Sequence, residues 1–514
     1  MLFNSFGFLF LFLPVTVAAF FLSARIDHRW AAASLALASL FFYGWWDIRY
    51  VPLLLGSVVF NYWAGNRIGN AGGRARMHWL TFAVVANLAL LGYFKYADFT
   101  LSSINFIAHT AFPILKIVLP IGISFFTFTQ IAFLVDTARG EVREYRFIHF
   151  LLFVTYFPHL IAGPVLHHKE MMPQFSDDRT YRISAENWAV GLSIFIIGLA
   201  KKVLIADNLA DYANMVFDQA GAPSLFIAWG GVLAYTFQLY FDFSGYSDMA
   251  IGLSRLFGIK LPLNFHSPYK AASIIVFWRH WHMTLSRFLR DYLYFPLGGS
   301  RKGAARRYVN LFLTMLLGGL WHGAGWNFVI WGALHGIYLM LNHGWIALSA
   351  RYRLPAPVRF GKFAGTCLTF FAVCLAWVLF RASDFARAVD LLKGMFFFSG
   401  IGIPDSIGVH LGDLQPLLER CGVDFYLGGG ARFVQTYLWV GFAAAIVFCF
   451  PNTQQIMYRY RPALDCDAMH AGVAARRSRW AWSPSARWAI WIGLMAVASL
   501  LSLNRPAAFL YFQF

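Results

Sequence analysis

Two histidines in aromatic surroundings are where this sequence could do chemistry. His322 sits in "GLWHGAGWNF" (319–328), inside a run from Tyr308 to Ala350 that has no Asp, Glu, Lys or Arg. An ionisable side chain in so apolar a stretch is a candidate functional group. A neutral imidazole is also a natural general base near pH 7. The alternative is a buried histidine bonded to a carbonyl in a glycine-rich bend. His282 sits in "FWRHWHMTLSRFLRDYLYFP" (277–296). Read as one helix over 278–296, ended by Pro296, that segment puts His282, Ser286 and Leu289 on one face. It also makes Arg287 and Asp291 an i, i+4 pair. The helix either presents His282 to a cavity or lies at a membrane interface with its arginines reaching for water. His335, in "WGALHG", reads as a packing or supporting residue.

Other chemistries lack their signatures. His167 and His168 are adjacent and His280 and His282 are two apart, but neither an HxxHH nor an HExxH pattern occurs. No metal is expected. There is no GxSxG elbow and no GxxxxGK[ST] loop, which removes support for serine hydrolysis and for nucleotide-driven pumping. The five cysteines are an odd number without metal-like spacing, and Cys367 and Cys374 fit one face of a helix.

The elements that must position these histidines are set by composition. The chain has 514 residues, 59% hydrophobic, 19% aromatic and 13% charged, where soluble proteins carry about 25% charged residues. Apolar runs without strand-like alternation recur along the whole length, so the expected fold is all-α, polytopic and membrane-embedded. Spans are expected near 5–23, 30–46, 50–65, 78–95, 119–136, 147–164, 187–205, 226–243, 308–322, 327–348, 363–380, 436–451 and 486–503. Allowing for re-entrant pieces, that makes roughly 11–13 helices around a central funnel. The first run lacks a basic n-region and reads as a retained span rather than a cleaved signal.

Basic loops orient the chain. Residues 66–79, 300–307, 350–362 and 459–487 read as cytoplasmic, and 381–435 and the C-terminal "LNRPAAFLYFQF" as lying on the other side. The net charge of +18 is explained by this bias, and no nucleic-acid partner is expected. The uncharged run 308–350, between two basic flanks, is long enough for a helical hairpin turning at "WHGAGW". Gly318, Gly319, Gly323 and Gly325 disfavour a continuous helix at that turn. The region 237–300 mixes aromatics with charges and holds no clean span; it reads as tilted or re-entrant helices lining the funnel. Asp242, Asp248 and Arg255 read as bracing. No internal repeat is evident, and the domain expectation is a single membrane-embedded unit over 1–514 with a catalytic core at 237–348.

The stretches "FWRHWHMTLSRFLRDYLYFPLGGSRKG" (277–303) and "GGLWHGAGWNFVIWGALHG" (318–336) resemble the membrane-bound O-acyltransferase family. So do "LPIGISFFTFTQIAFLVDTARGEV" (119–142), "YFPHLIAGPVLHHKEMMPQF" (156–175), "GLAKKVLIADNLADYANMVF" (198–217), "YFDFSGYSDMAIGLSRLFGIKLPLNFHSPY" (240–269) and "WVLFRASDFARAVDLLKGMF" (377–396). They run in family order and are most similar to the branch that serves alginate O-acetylation and teichoic-acid D-alanylation. The resemblance implies a funnel with its reaction centre deep in the membrane. The paired active-site histidines of the family would be His322 and His282. His322 would be the base; His282 would polarise the thioester carbonyl or position the donor. Arg279, Arg287, Ser286 and Trp321 would hold substrate. The basic loop at Arg301, Lys302, Arg306 and Arg307 either attracts an anionic donor or marks topology alone. The donor would be acetyl-CoA or another acyl thioester made in the cytoplasm. The expected location is the bacterial inner membrane, working with an extracytoplasmic acetyltransferase and polysaccharide-synthesis machinery. Rival readings are D-alanyl transfer to teichoic acid and a transporter or flippase without covalent chemistry.

Overall fold

The computed structural model describes residues 1–144, 146–161, 163–353, 359–464, 480–503 and 510. Cys466, much of the basic stretches 350–362 and 459–487, and most of the C-terminal segment lie outside the described residues. Apolar runs rich in Leu, Phe and Ala become helices because a helix satisfies its own backbone, which lipid cannot do. In chain order the helices used below are α1 (Leu13–Ala24), α2 (His28–Gly44), α3 (Val51–Asn70), α4 (Gly73–Ala108), α5 (Ile123–Ala138) and α6 (Phe147–Thr155). They continue as α7 (Ala185–Ala200), α8 (Leu225–Leu256), α9 (Ile274–His280), α10 (Met283–Leu289), α11 (Ala304–His322) and α12 (Trp326–Arg351). The last are α13 (Arg359–Arg381), α14 (Gly430–Cys449) and α15 (Ala486–Leu501). Gly73–Ala108, Ala185–Phe217, Gly361–Arg381 and Gly430–Cys449 are long and apolar enough to cross a membrane; Phe8–Ala24, Ile123–Ala138 and Ala486–Leu501 are shorter apolar helices. The architecture is all-α and polytopic. A two-stranded parallel pair, β1 (Ile401–Pro404) with β2 (Val423–Tyr426), interrupts it inside 381–435.

α7 and α8 form the spine. A Cβ added at Gly198 would stand 2.6 Å from the Gly245 carbonyl oxygen, and one at Gly252 would stand 2.5 Å from that of Gly191. Backbone therefore meets backbone, the small-residue packing that lets helices associate in lipid. Charges on α8 are answered across this seam. Lys201 pairs with Asp248 at 2.6 Å, and Lys202 pairs with Asp242 and Asp207 at 2.7 Å each. Asp248 also accepts from Thr453 Oγ1 at 2.6 Å and Gln454 Nε2 at 3.0 Å. Arg255 lies 3.7 Å from Glu186. These residues brace the fold. The expectation that 237–256 is no clean segment is corrected: Leu225–Leu256 is one uninterrupted helix, and its two aspartates are tolerated because the facing lysines neutralise them.

The expected span at 147–164 is also corrected. α6 stops at Thr155, because Pro158 has no N–H to give the carbonyl of Val154. The chain doubles back, so that His168 Nε2 meets Glu144 at 3.2 Å and His149 lies 3.7 Å from the same carboxylate. Burial alone would raise the Glu144 carboxyl, but the bonds from His149 and His168 outweigh it and hold it down at about 2.

α11 and α12 form the expected antiparallel hairpin, turning at Gly323–Gly325. The glycines divide their work differently from the sequence reading. Gly318 and Gly319 lie inside α11, not in the turn. A Cβ at Gly319 would stand 2.2 Å from the Phe328 carbonyl oxygen, and one at Gly332 would stand 2.4 Å from that of Met315. These two positions are required by close approach of the two helices rather than by any bend.

Candidate active site

His282 is placed by a break, not by a helix face. α9 ends at His280, α10 begins at Met283, and His282 between them is left-handed at φ 43, ψ 54. The single helix expected over 278–296 is therefore corrected. A non-glycine residue in that conformation costs about 1–2 kcal/mol, so something must hold it. Asn264 does. Its Oδ1 accepts from Thr284 Oγ1 at 3.0 Å, from the Thr284 N–H at 3.4 Å and from His282 Nδ1 at 3.1 Å. Its carbonyl oxygen accepts the Met283 N–H at 2.9 Å, and its Nδ2 donates to Ser247 Oγ on α8 at 3.2 Å.

That network assigns a tautomer. A backbone N–H can only donate, so the Asn264 atom facing Thr284 is the oxygen, and His282 Nδ1 carries the proton it shares with it. In the neutral ring Nε2 then holds a lone pair. Nε2 is buried and has no hydrogen-bond partner among the described residues. In that tautomer the neutral ring has no proton at Nε2 to donate to a carbonyl. The other expected role, positioning the donor, fits a lone pair that accepts from an amide N–H.

Asn264→Leu removes the shared acceptor. The expected outcome is a loss of about one to two orders of magnitude in acyl-transfer rate at matched membrane levels. The double variant with His282→Ala should be no slower than His282→Ala alone, because the two act as a unit.

His322 is the last residue of α11, and Gly323 leaves the helix in extended backbone at φ −156. Its buried ring is boxed by aromatic rings at centroid distances of 4.9 Å (Trp321), 5.2 Å (Trp331) and 5.3 Å (Phe380). The centroids of His322 and His282 are 6.5 Å apart. The structure thus brings together two imidazoles separated by forty residues of chain. His335 accepts from Trp278 Nε1 at 3.2 Å and packs edge-on against Trp331 at 4.8 Å, in the same aromatic group. His280 faces His266 instead, at 5.3 Å.

A sequence neighbour of each histidine lines a different cavity. Met283 and Thr284, which follow His282, line a cavity of about 670 Å³ together with Arg279, Ser286 and Arg287. Trp321, which precedes His322, lines a cavity of about 130 Å³ with Lys95, Ser124 and Trp46. Of the four expected substrate-holding residues, three fall on the larger cavity and Trp321 on the smaller one. Arg301 from the basic loop borders a third, polar cavity of about 510 Å³ that shares Arg287.

The partner of Arg287 differs from expectation. It makes a bidentate pair with Glu170 at 2.7 and 2.8 Å, while Asp291 pairs with the adjacent Arg290 at 2.7 Å. After α10 the chain widens into a π-turn over Arg290–Tyr294, which carries Asp291 off the i, i+4 register of Arg287. Among the described residues no group of three or more His, Cys, Asp or Glu could hold a metal. Sequence reasoning missed Asn264, Trp331 and Phe380 as parts of this site. Each acts across a long loop or from another helix, and none carries a local signal.

The peptidoglycan O-acetyltransferase of Helicobacter pylori is 43% identical over 485 residues, covering 89% of this chain and 90% of that protein. The "Probable alginate O-acetylase" of Pseudomonas aeruginosa is 46% identical over 422 residues, covering 81% and 78%. The teichoic acid D-alanyltransferase of Bacillus subtilis is 27% identical over 273 residues, covering 52% and 69%. The sequence profile of the membrane-bound O-acyltransferase family matches residues 78–383, a segment that contains both histidines, Asn264 and the whole α11–α12 hairpin. The chain belongs to the membrane-bound O-acyltransferase family.

Proposed function

We propose that this chain is an O-acetyltransferase of the bacterial inner membrane, one membrane-embedded unit with its catalytic core at 237–348. It takes acetyl groups from a cytoplasmic thioester, acetyl-CoA or a similar donor, for O-acetylation of an exported alginate- or cellulose-like polysaccharide. The observation that carries the reading is the histidine pair: two imidazoles 6.5 Å apart, with Met283 and Thr284 after His282 lining one cavity and Trp321 before His322 lining another. The acetyl assignment draws on relatives named as O-acetylating enzymes at 43% and 46% identity. A D-alanyl-transferring relative stands at 27% over about half of the chain.

The chemistry balances with this chain's own residues. The acceptor hydroxyl gives its proton to His322, and its oxygen attacks the thioester carbonyl carbon. The tetrahedral intermediate expels the thiolate as the C–S bond breaks, and the imidazolium returns the proton to that sulfur. The products are an ester and a free thiol. His282 Nε2 accepts a hydrogen bond from the donor and holds it along the larger cavity. Arg279 is exposed on that cavity wall and supplies positive charge for an anionic donor. Arg287 is already neutralised by Glu170, so it shapes the wall and offers little free charge. Ser286 adds a hydroxyl there, and Trp321 closes the acceptor side. An extracytoplasmic transferase and the polysaccharide machinery receive the acetyl group beyond the membrane.

A second acceptor is favoured by a specific observation. The peptidoglycan O-acetyltransferase relative matches over 89% of this chain. The test is the ester-linked content of separated glycans in wild type, a deletion strain and the restored strain. Loss of acetate from the exported polysaccharide alone supports the first acceptor. Loss from peptidoglycan alone supports the second. Loss of D-alanyl ester with acetate unchanged would overturn the acetyl reading.

A further inference from the structure

A half-buried lysine lies at the end of the helix that carries His322. Lys95 is on α4, about 33 Å along the axis from Gly73, where the sequence suggested the span's edge; the helix runs on to Ala108. Its ammonium donates to the carbonyl oxygens of Trp321 and His322, the latter at 3.2 Å, and to Ser124 Oγ at 3.4 Å. It also lies 5.7 Å from the Trp321 ring centroid. Tyr96 beside it donates its O–H to the Leu320 carbonyl at 2.8 Å. Two adjacent residues of α4 thus take the last three carbonyls of α11. No carboxylate lies within 4 Å of Lys95 Nζ among the described residues.

A helix end leaves its final carbonyls without intrahelical donors, and a cation there is favourable. Neutral donors such as Tyr96 can do the same work. A charge in a membrane span is costly, so a lysine without a counter-ion needs a further reason. The position supplies one. His322 is the terminal residue of its helix, followed by a glycine turn that leaves its backbone free to fray. Lys95 also lines the same small cavity as Trp321.

We propose that Lys95 is a positioning residue for acyl transfer: it clamps the end of α11 and so fixes the His322 ring relative to His282. This rests on the reading of His322 as the base. Lys95 does not touch the donor, whose cavity is lined by α9, α10 and their neighbours. Its removal should therefore act on turnover and spare donor binding.

The test uses the full chain in membranes, with acetyl-CoA as the donor probe. Lys95→Met is expected to lower kcat at least 30-fold with the donor KM within three-fold of wild type. Lys95→Arg, which keeps a cation at the same carbonyls, is expected to recover to within ten-fold. Turnover of Lys95→Met within three-fold of wild type would overturn the proposal. So would parallel loss of kcat and donor KM in both variants, which marks general damage. If Lys95→Met fails to accumulate, Lys95→Gln replaces it with the same criteria; failure of both to accumulate also contradicts a purely positioning role. His322→Ala run alongside separates the two claims. If it retains activity, the base assignment itself fails. If it is inactive while Lys95→Met is active, only the positioning proposal fails.

Discussion

His322→Ala, carried in the membrane at wild-type level, is expected to leave ester-linked acetate at the level of a deletion strain. A positioned general base contributes about 10²–10⁴-fold to proton transfer in the transition state. Among the described residues, the rings of Trp321, Trp331 and Phe380 box His322, and none of the three is a base. His282 keeps a basic Nε2, but its ring is fixed by Asn264 and the left-handed junction with its centroid 6.5 Å from that of His322, so it does not occupy the same position. His322→Gln should be as inactive as His322→Ala, since an amide fills the space without a basic nitrogen. Quantifying alkali-released acetate in strains restored with each variant checks this. Full acetylation with His322→Ala would make the residue a structural histidine in a glycine turn.

The second large effect is expected at Gly332, where no side chain reacts at all. A Cβ there would lie 2.4 Å from the Met315 carbonyl oxygen and 3.1 Å from the Gly319 Cα. These are backbone atoms of a packed helix and cannot swing aside. Overpacking a core by a methylene or two costs about 1–3 kcal/mol when side chains can adjust; here α11 and α12 must separate. Gly332→Ala should lower the thermal midpoint of the purified protein and reduce transfer at least ten-fold by moving His322 relative to His282. Gly441→Ala is the control, because a Cβ there meets nothing within 4 Å. Wild-type stability of Gly332→Ala would show that the hairpin seam is looser than described.

Much of the architecture was legible in the residues. An uncharged run between basic flanks can only be a hairpin of two spans, and the turn fell where "WHGAGW" put it. Most helix positions followed from apolar runs of sufficient length. The misses have physical causes. The break at His282 has no glycine or proline to announce it, since the left-handed residue is held by Asn264 from a loop eighteen residues earlier. The π-turn at Arg290–Tyr294 has no composition signature, so the Arg287–Asp291 pairing inferred from ideal spacing gave way to Glu170. Asp242 and Asp248 looked incompatible with a clean helix because their lysines sit on a different one. The span expected near 78–95 ends at Lys95, whereas the helix runs on to Ala108. Only tertiary contact shows Lys95 pointing at the end of α11. The short β1–β2 pair lies in the segment between α13 and α14, which the charge count had already separated from the spans.

The central claim is that one buried histidine serves acyl transfer from the face carrying the basic loops. Label from acetyl-CoA, supplied outside sealed vesicles of each orientation, tests it most directly. The account predicts alkali-labile label in inside-out vesicles bearing wild-type protein. It predicts none in right-side-out vesicles and none in inside-out vesicles bearing His322→Ala. Equal labelling from both orientations, or labelling that survives His322→Ala, would contradict it.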